Sequence, residues 1–185
     1  DSFSKSNGGA FHIVINNGNR SGSKLVVQDC YFNNNDYEEF TGGEGGAFYI
    51  ENRDMIEFFN NNFDNSVSIG AGGAIRSKRN EKFVLNNCEF VWNESIGSNG
   101  GAAALSDFGE LSSVKNKINS NFANKGNGGG IYLDGGMVHF HQDSVIWNSA
   151  QNGAGAYIEN AFGKIDSTCF LENYSKDSLN IFRSG

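Results

Sequence analysis

The stretch GGEGGAFYIEN, residues 42–52, places four glycines directly before the strand-forming residues Phe48, Tyr49 and Ile50. Glycine weakens a strand because it has no side chain to pack and loses much conformational freedom on folding. Its position here therefore needs an explanation. Related stretches recur along the chain: NGGAFHI at 7–13, AGGAIRS at 71–77, NGGAAAL at 99–105, NGGGIYL at 127–133 and NGAGAYIEN at 152–160. The repeat is the feature that decides the fold.

The first glycines of successive copies are 37, 27, 28, 28 and 25 residues apart. A second motif, Phe-x-x-Asn or a variant of it, lies part-way through each repeat and begins at Phe32, Phe63, Phe90, Phe122, Val145 and Phe170. Each repeat holds about three short strand segments separated by Gly, Asn and Ser turns, and none has the period of a helix. The pattern predicts an all-β fold: a right-handed parallel β-helix (solenoid) of about six rungs.

Strand side chains alternate between two faces, so aligning the copies predicts which columns of residues point into the coil. The predicted inward columns begin at Phe11, at Ile13 and at the Phe of the second motif. We expect the glycines to mark a corner and the aromatic residues to fill the core. The Asn of the second motif is expected at the next corner, in the left-handed conformation, with side chains bonded from rung to rung.

The composition excludes several classes of function. The net charge of −7 argues against a nucleic-acid partner, and no apolar run is long enough for a transmembrane helix. Three cysteines, Cys30, Cys88 and Cys169, are an odd number with no zinc-like spacing. Cys30 and Cys88 are predicted to lie two rungs apart, about 9.6 Å by strand spacing, which is too far for a disulfide. We expect buried or semi-buried free thiols.

The interleaved Gly-Gly-Ala-hydrophobic and Phe-x-x-Asn motifs resemble the repeats of the polymorphic outer membrane proteins, from Phe3 to about Asn173. The resemblance implies a surface-exposed, adhesin-like β-helix secreted by the autotransporter route. It therefore implies an extracellular or cell-surface location. It also implies that the outer faces act through contacts with other subunits or with host-surface proteins or glycans. Similar repeats occur in extracellular proteins of other bacteria and of single-celled eukaryotes, so the resemblance leaves the organism open.

One outward column is the candidate binding face. Its residues are His12, Tyr49, Arg76, Ala104, Tyr132 and Tyr157. A strip of small residues lies beside it, at Ala10, Ala47, Ala74, Ala102, Gly130 and Gly155. Exposed aromatic side chains beside a flat strip suit a protein partner or a sugar. The alternative is an ordinary strand face without a ligand.

Chemistry beyond binding has weaker support in the sequence. His139 and His141 point outward together, but no third ligand has a recognisable spacing, so no metal site and no cofactor are predicted. The acidic group DYEEF at 36–40 indicates a surface loop. The alternative function is a carbohydrate-active β-helix enzyme, a polysaccharide lyase or hydrolase, which would need grouped carboxylates on the coil. Asn19, in an Asn-Arg-Ser sequon, is the candidate glycosylation site if the host is eukaryotic.

The chain begins within a rung at Asp1 and ends just past DSLNIF at 177–182. An uncovered end of a β-helix exposes a row of unpaired backbone groups. Residues 1–185 are therefore expected to be a single β-helix segment that continues into further rungs or packs against other subunits.

Overall fold

The computed structural model describes residues 2–4, 7–15, 21–37 and 43–176. All strand pairs within them are parallel, and these residues contain no helix. Strands that follow one another along the chain lie in different sheets, while strands one repeat apart are neighbours in the same sheet. This arrangement is a parallel β-helix, which confirms the predicted fold class.

Each of the last five rungs contributes one strand to each of four sheets, and the first rung contributes to three of them. The first sheet contains β2 (Phe11–Val14), β6 (Phe48–Glu51), β10 (Ile75–Lys78), β14 (Ala103–Ser106), β18 (Ile131–Asp134) and β22 (Ala156–Glu159). The second contains β3 (Lys24–Gln28), β7 (Met55–Phe59), β11 (Lys82–Asn86), β15 (Glu110–Val114), β19 (Met137–His141) and β23 (Phe162–Asp166). The third contains β4 (Tyr31–Asn33), β8 (Asn62–Asp64), β12 (Glu89–Val91), β16 (Lys117–Asn119), β20 (Ser144–Ile146) and β24 (Cys169–Leu171).

The fourth sheet is built from two- and three-residue strands. It contains β9 (Val67–Ser68), β13 (Glu94–Ser95), β17 (Phe122–Ala123), β21 (Ser149–Ala150) and β25 (Tyr174–Ser175). A separate parallel pair joins β1 (Ser2–Ser4) to β5 (Asn35–Tyr37). The six-stranded sheets correspond to the six copies of the repeat.

The strand register confirms the predicted inward columns of the first sheet. Phe48 pairs with Phe11 on one side and with Ile75 on the other, and the column continues to Ala103, Ile131 and Ala156. Phe48, Ile75 and Ala103 are at most 1% exposed. In the third sheet the rings of Phe32, Phe63 and Phe90 stack, with centroids 5.1 and 4.7 Å apart. Alternation and a constant repeat therefore produce one continuous apolar core.

The two glycines of each motif have different roles. Gly72 adopts a left-handed φ of +74°, which turns the chain into β10. A Cβ on Gly73 would lie only 1.9 Å from the carbonyl oxygen of Gly101 in the next rung. The first glycine therefore makes the corner. The second makes room for the backbone of the neighbouring rung.

The Asn of the second motif forms an internal ladder. Asn121 donates both its backbone N–H and its side-chain amide to the Oδ1 of Asn148, at 2.9 and 3.0 Å. Asn93 bonds in the same way to Asn121, and Asn148 to Asn173. The predicted bonds from rung to rung are confirmed. The left-handed residue, however, is the one before this Asn, as at Trp92 and Trp147, because the Asn itself points into the coil.

The prediction that Phe122 belongs to the inward Phe column is wrong. Ile118, not Phe122, pairs with Phe90 and Val145 in the third sheet. The sequence 118–121, Ile-Asn-Ser-Asn, is the true second motif of that rung, so its Asn is Asn121. Phe122 instead begins β17 and pairs with Glu94 and Ser149, with its side chain partly exposed.

The cysteines are free thiols, as predicted, but differ in exposure. Cys88 is buried, and burial raises the pKa of its thiol. Cys30 and Cys169 are exposed, so the expectation of burial was wrong for Cys30. Among the described residues, no helix is long and apolar enough to cross a membrane.

Candidate functional site

The predicted binding column is continuous, but it is not a uniform surface. His12, Tyr49, Arg76, Ala104, Tyr132 and Tyr157 are cross-strand neighbours in that order. His12 is exposed, whereas Tyr49 and Arg76 are only 6% and 8% exposed and Ala104 is fully buried. All six side chains leave the coil on the same side, yet three of them do not reach solvent.

Ion pairs close the first half of this face. Glu44 forms ion pairs with Arg76 and with Lys78, and Arg76 also donates to the backbone oxygen of Ala104 at 3.2 Å. Burial lowers the pKa of the Arg76 guanidinium, and the Glu44 carboxylate counteracts that shift. The Tyr49 hydroxyl donates to Glu51 at 2.6 Å. These interactions neutralise the face and hold its side chains flat.

An open groove of about 690 Å³ lies at the edge of the closed region. It is lined by Asn7, His12, Val14, Tyr49, Glu51, Asn52 and Arg79. The rings of His12 and Tyr49 meet edge to face, with centroids 4.9 Å apart. Glu51 and Arg79 form an ion pair in its wall. His12 is therefore the accessible member of this half of the column.

The strip of small residues is not a surface. Ala47, Ala74 and Ala102 are fully buried and belong to the core beside the inward residues that follow them. Strict alternation fails here because the chain is still turning the glycine corner. The predicted flat strip for a partner is thus wrong.

The second half of the column is half-buried. Tyr132 and Tyr157 stack in parallel, with centroids 5.8 Å apart and planes 8° apart. The Tyr132 hydroxyl donates to Glu159. Burial, together with that hydrogen bond, raises the pKa of Tyr132. The pair therefore offers two stacked, half-buried rings beside a carboxylate.

A row of aromatic side chains that reach solvent lies elsewhere, at the corner between the third and fourth sheets. We call Trp92, Phe122, Trp147 and Tyr174 the aromatic corner. Trp92 and Trp147 are each 55% exposed, and Tyr174 is 66% exposed. The rings of Trp92 and Phe122 stack with centroids 5.9 Å apart, and the Trp147 indole N–H donates to Glu172. Four successive rungs thus each carry one aromatic ring at this corner.

The two tryptophans occupy unusual backbone positions. Trp92 and Trp147 have φ of +57° and +55°. Equivalent corner positions carry Asn34, Asn65, Ser120 and Glu172. Bulky residues seldom adopt this conformation, and such strain clusters at functional sites. Packing uses only part of each tryptophan, because more than half of each side chain is exposed to solvent.

A second group lies on the outer face of the second sheet. His139 and His141 point outward on either side of the buried Phe140, as predicted. The register places Asp166 beside His141 in the next rung, where its carboxylate bonds to His141 Nδ1 and lies 3.6 Å from His139 Nε2. Lys164 Nζ lies 2.6 Å from the same carboxylate. The hydrogen bonds from Lys164 and His141 lower the pKa of Asp166.

Sequence reasoning missed two features of these sites. The third potential ligand, Asp166, lies 25 residues after His141, the same offset that separates Val145 from Phe170. Applying the repeat interval to the histidines would have found it. The aromatic corner was missed because Trp92 and Trp147 sit inside the second motif, where only its first and last residues were considered.

The remaining sequence candidates are settled in part. Asn19, Glu38 and Glu39 lie outside the described residues. A second sequon, Asn93-Glu94-Ser95, is excluded as a glycosylation site because the Asn93 side chain is fully buried within the Asn ladder.

The fold defines the class of protein, a parallel β-helix, with three surfaces of interest. No protein-family model, no curated protein and no solved structure matches the chain. The assignment of function therefore rests on the geometry of these surfaces.

Proposed function

We propose that the chain is an extracellular or cell-surface β-helix module, adhesin-like or structural, that binds a neutral glycan through the aromatic corner. The observation that carries the proposal is the row of four aromatic rings on four successive rungs. Apolar rings beside hydrogen-bonding groups suit a ligand that has both apolar faces and hydroxyl groups. Glu172 and Glu94 supply carboxylates beside the rings.

The shape of the row favours a chain-like ligand. Rungs are about 4.8 Å apart, so Trp92 and Trp147 are separated by about 9.6 Å and the whole row extends over about 14 Å. The row is only one or two residues wide. A stable protein–protein interface usually covers about 800 Å² on each partner. A narrow strip of rings matches an extended saccharide better than a broad protein surface.

The charge of the protein further limits the kind of glycan that can bind at this corner. The chain has a net charge of −7, and two carboxylates, Glu94 and Glu172, lie next to the rings, against one nearby cation, Lys176, whose Nζ is 3.5 Å from the backbone oxygen of Asn124. An acidic polysaccharide would be repelled at this corner. The proposal therefore specifies a neutral glycan, and an acidic one is an outcome that would contradict it.

The two tryptophans make the test direct, because Trp92 and Trp147 are the only tryptophans in the chain. Titration with a panel of neutral and acidic polysaccharides should shift the intrinsic tryptophan emission with neutral members only. The double variant Trp92→Ala and Trp147→Ala should lose retention on an immobilised neutral glycan. Tyr31→Ala is the matched control, since Tyr31 is 61% exposed but lies outside the corner.

Two results would overturn the glycan proposal. One is unchanged emission with every neutral polysaccharide, and the other is equal retention of the double variant and the control. A third measurement covers subunit assembly, the structural half of the proposal. Light scattering over a concentration series would show whether the chain self-associates, and self-association that the double variant abolishes would assign the corner to a second copy instead.

We further propose that the chain is not a polysaccharide lyase or hydrolase. Several carboxylates on the described outer faces are engaged by cations, as in the Glu44–Lys78, Glu57–Lys24 and Glu110–Lys82 pairs. A lyase needs grouped carboxylates free to bind calcium or move a proton. Purified protein should therefore cleave no uronate polymer with calcium present. Release of unsaturated products would favour the enzyme.

A further inference from the structure

The outer face of the second sheet carries a group of ligand atoms that the proposed function does not use. His139 and His141 lie two residues apart on β19, and Asp166 ends the neighbouring strand β23. Two imidazoles and a carboxylate are the donor set of many zinc and other transition-metal sites. Among the described residues, this is the group of His, Cys, Asp and Glu side chains with the geometry to hold a metal ion.

The distances are close to those of a coordination sphere. One ligand atom from each residue can be chosen so that all three lie within 4.8 Å of one another. Donors on a tetrahedral ion with bonds of about 2.0 Å lie about 3.3 Å apart. His139 Nε2 and Asp166 Oδ2 are already 3.6 Å apart. Small rotations of the two partly exposed imidazoles would complete the geometry.

The backbone beneath the group is rigid. β19 and β23 pair over five residues, with His141 directly opposite Asp166 and His139 opposite Lys164. Phe140, between the two histidines, is fully buried in the core. The ladder therefore sets the positions of the three Cα atoms, and only side-chain rotation remains. Such support from regular strands is what keeps a metal site preorganised.

The geometry points to a surface site for a divalent transition metal, with Zn²⁺ as its representative, formed by His139, His141 and Asp166. Imidazole ligands favour Zn²⁺, Cu²⁺ and Ni²⁺ over Ca²⁺ and Mg²⁺, which prefer oxygen alone. The partly exposed position leaves the fourth ligand to water. The site is independent of the aromatic corner, which lies between two other sheets.

Lys164 is the competitor for the site. Its Nζ contacts the Asp166 carboxylate at 2.6 Å, and its side chain is 69% exposed. A bound cation would repel the ammonium group, and the exposed side chain is free to swing into solvent. Removing Lys164 should consequently strengthen metal binding. If the group were only an ion-pair network, the loss of Lys164 would remove one of its partners and would not strengthen metal binding.

Metal binding would join two rungs. The side chains of β23 are more exposed than those of the strands before it in the second sheet: Phe162 and Ile165 are 71% and 40% exposed. An ion held by β19 and β23 binds only the folded state of this pair, so it should stabilise the outer rung. Added zinc should slow the exchange of backbone amides in 162–166.

The test uses the chain with Cys30 and Cys169 changed to serine, so that exposed thiols cannot bind the ion. Calorimetric titration with ZnCl₂ should show one site. His141→Ala and Asp166→Asn should each weaken binding by more than about 100-fold, because even changes to outer-shell partners of a metal cost about 10–100-fold. Lys164→Ala should tighten binding several-fold.

The matched control is His12→Ala, which removes the remaining histidine of the chain. Zinc affinity should be unchanged in this variant, since His12 lies on the first sheet. Circular dichroism of the apo variants confirms that each one folds. No single-site binding at millimolar ZnCl₂ would overturn the proposal. So would binding that survives both His141→Ala and Asp166→Asn, or that weakens in Lys164→Ala.

Discussion

Two outward surfaces of this coil differ in a way that their sequences do not reveal. On the first sheet, Tyr49 and Arg76 leave the coil but are almost fully buried, because Glu44, Glu51 and Lys78 cover or pair with them. At the aromatic corner, Trp92 and Trp147 stay open to solvent. Pointing outward therefore does not mean being accessible. A large side chain on a β-helix is accessible only where no neighbouring loop or ion pair closes over it.

The comparison also separates two uses of aromatic residues. Tyr49 contributes packing area and a hydrogen bond within the fold, so its removal would be felt as a loss of stability. The tryptophans contribute little packing and occupy backbone positions that suit Asn better. Their presence is better explained by a ligand than by stability.

The largest loss of stability is expected for a substitution inside the coil, and it is the reference for substitutions on the two surfaces. Phe90→Ala should lower the free energy of unfolding by about 3–5 kcal/mol, because the ring is fully buried between Phe63 and Ile118. Denaturant unfolding measures it. Val91→Ala, next along the strand but facing outward, is the control and should cost less than about 1 kcal/mol. Similar losses for the two variants would mean that the columns are misassigned.

Tyr49 and Arg76, which neighbouring side chains cover on the first sheet, should contribute almost as much to stability as core residues do. Tyr49→Ala should cost about 2–4 kcal/mol, because a buried ring is lost and Glu51 loses a hydrogen bond. Tyr174→Ala, at the aromatic corner, should cost less than about 0.5 kcal/mol. Thermal and denaturant unfolding of the two variants compares the surfaces directly. A small loss for Tyr49→Ala would show that the first sheet is open after all.

The ion pairs that close the face can be tested separately. Glu44→Ala removes the carboxylate partner of the buried Arg76, and should cost about 1–3 kcal/mol. The loss is below that of a fully buried pair because the Glu44 side chain is 24% exposed. Glu57→Ala, whose partner Lys24 is 49% exposed, should cost less than about 1 kcal/mol. An unfolding measurement that ranks the two variants in the reverse order would contradict the closed face.

The last substitution, at the aromatic corner, is expected to cause a small gain in stability rather than a loss. Trp92→Asn should raise the free energy of unfolding by about 0.5–1 kcal/mol, because Asn accepts the left-handed backbone of that position. Ala has a Cβ but lacks the tolerance of Asn for the left-handed conformation, so Trp92→Ala should raise the free energy of unfolding by less. Both variants should bind the proposed glycan more weakly. If both variants were less stable than the parent chain, the tryptophan would be shown to pack against the fold.

Much of the fold followed from the sequence because a parallel coil repeats one local arrangement. The Gly pairs, the Phe-x-x-Asn motif and period-two alternation were enough to align Phe11 through Ala156 in one column. Phe122 was misplaced because Phe-Ala-Asn-Lys supplies the Phe of the motif, whereas Ile-Asn-Ser-Asn supplies only its Asn. The fourth residue of each stretch and the count of residues around the rung distinguish the two.

By itself, the sequence determined which residues lie in each rung and which side of the strand they take, since both depend on local backbone geometry and repeat length. The tertiary structure decided accessibility and proximity. Glu44 covers Arg76, Ala47 and Ala74 turn inward at the corner, and Asp166 meets His141 across 25 residues. These outcomes depend on how neighbouring rungs and loops fill the space around each side chain. That space exists only when the coil is assembled.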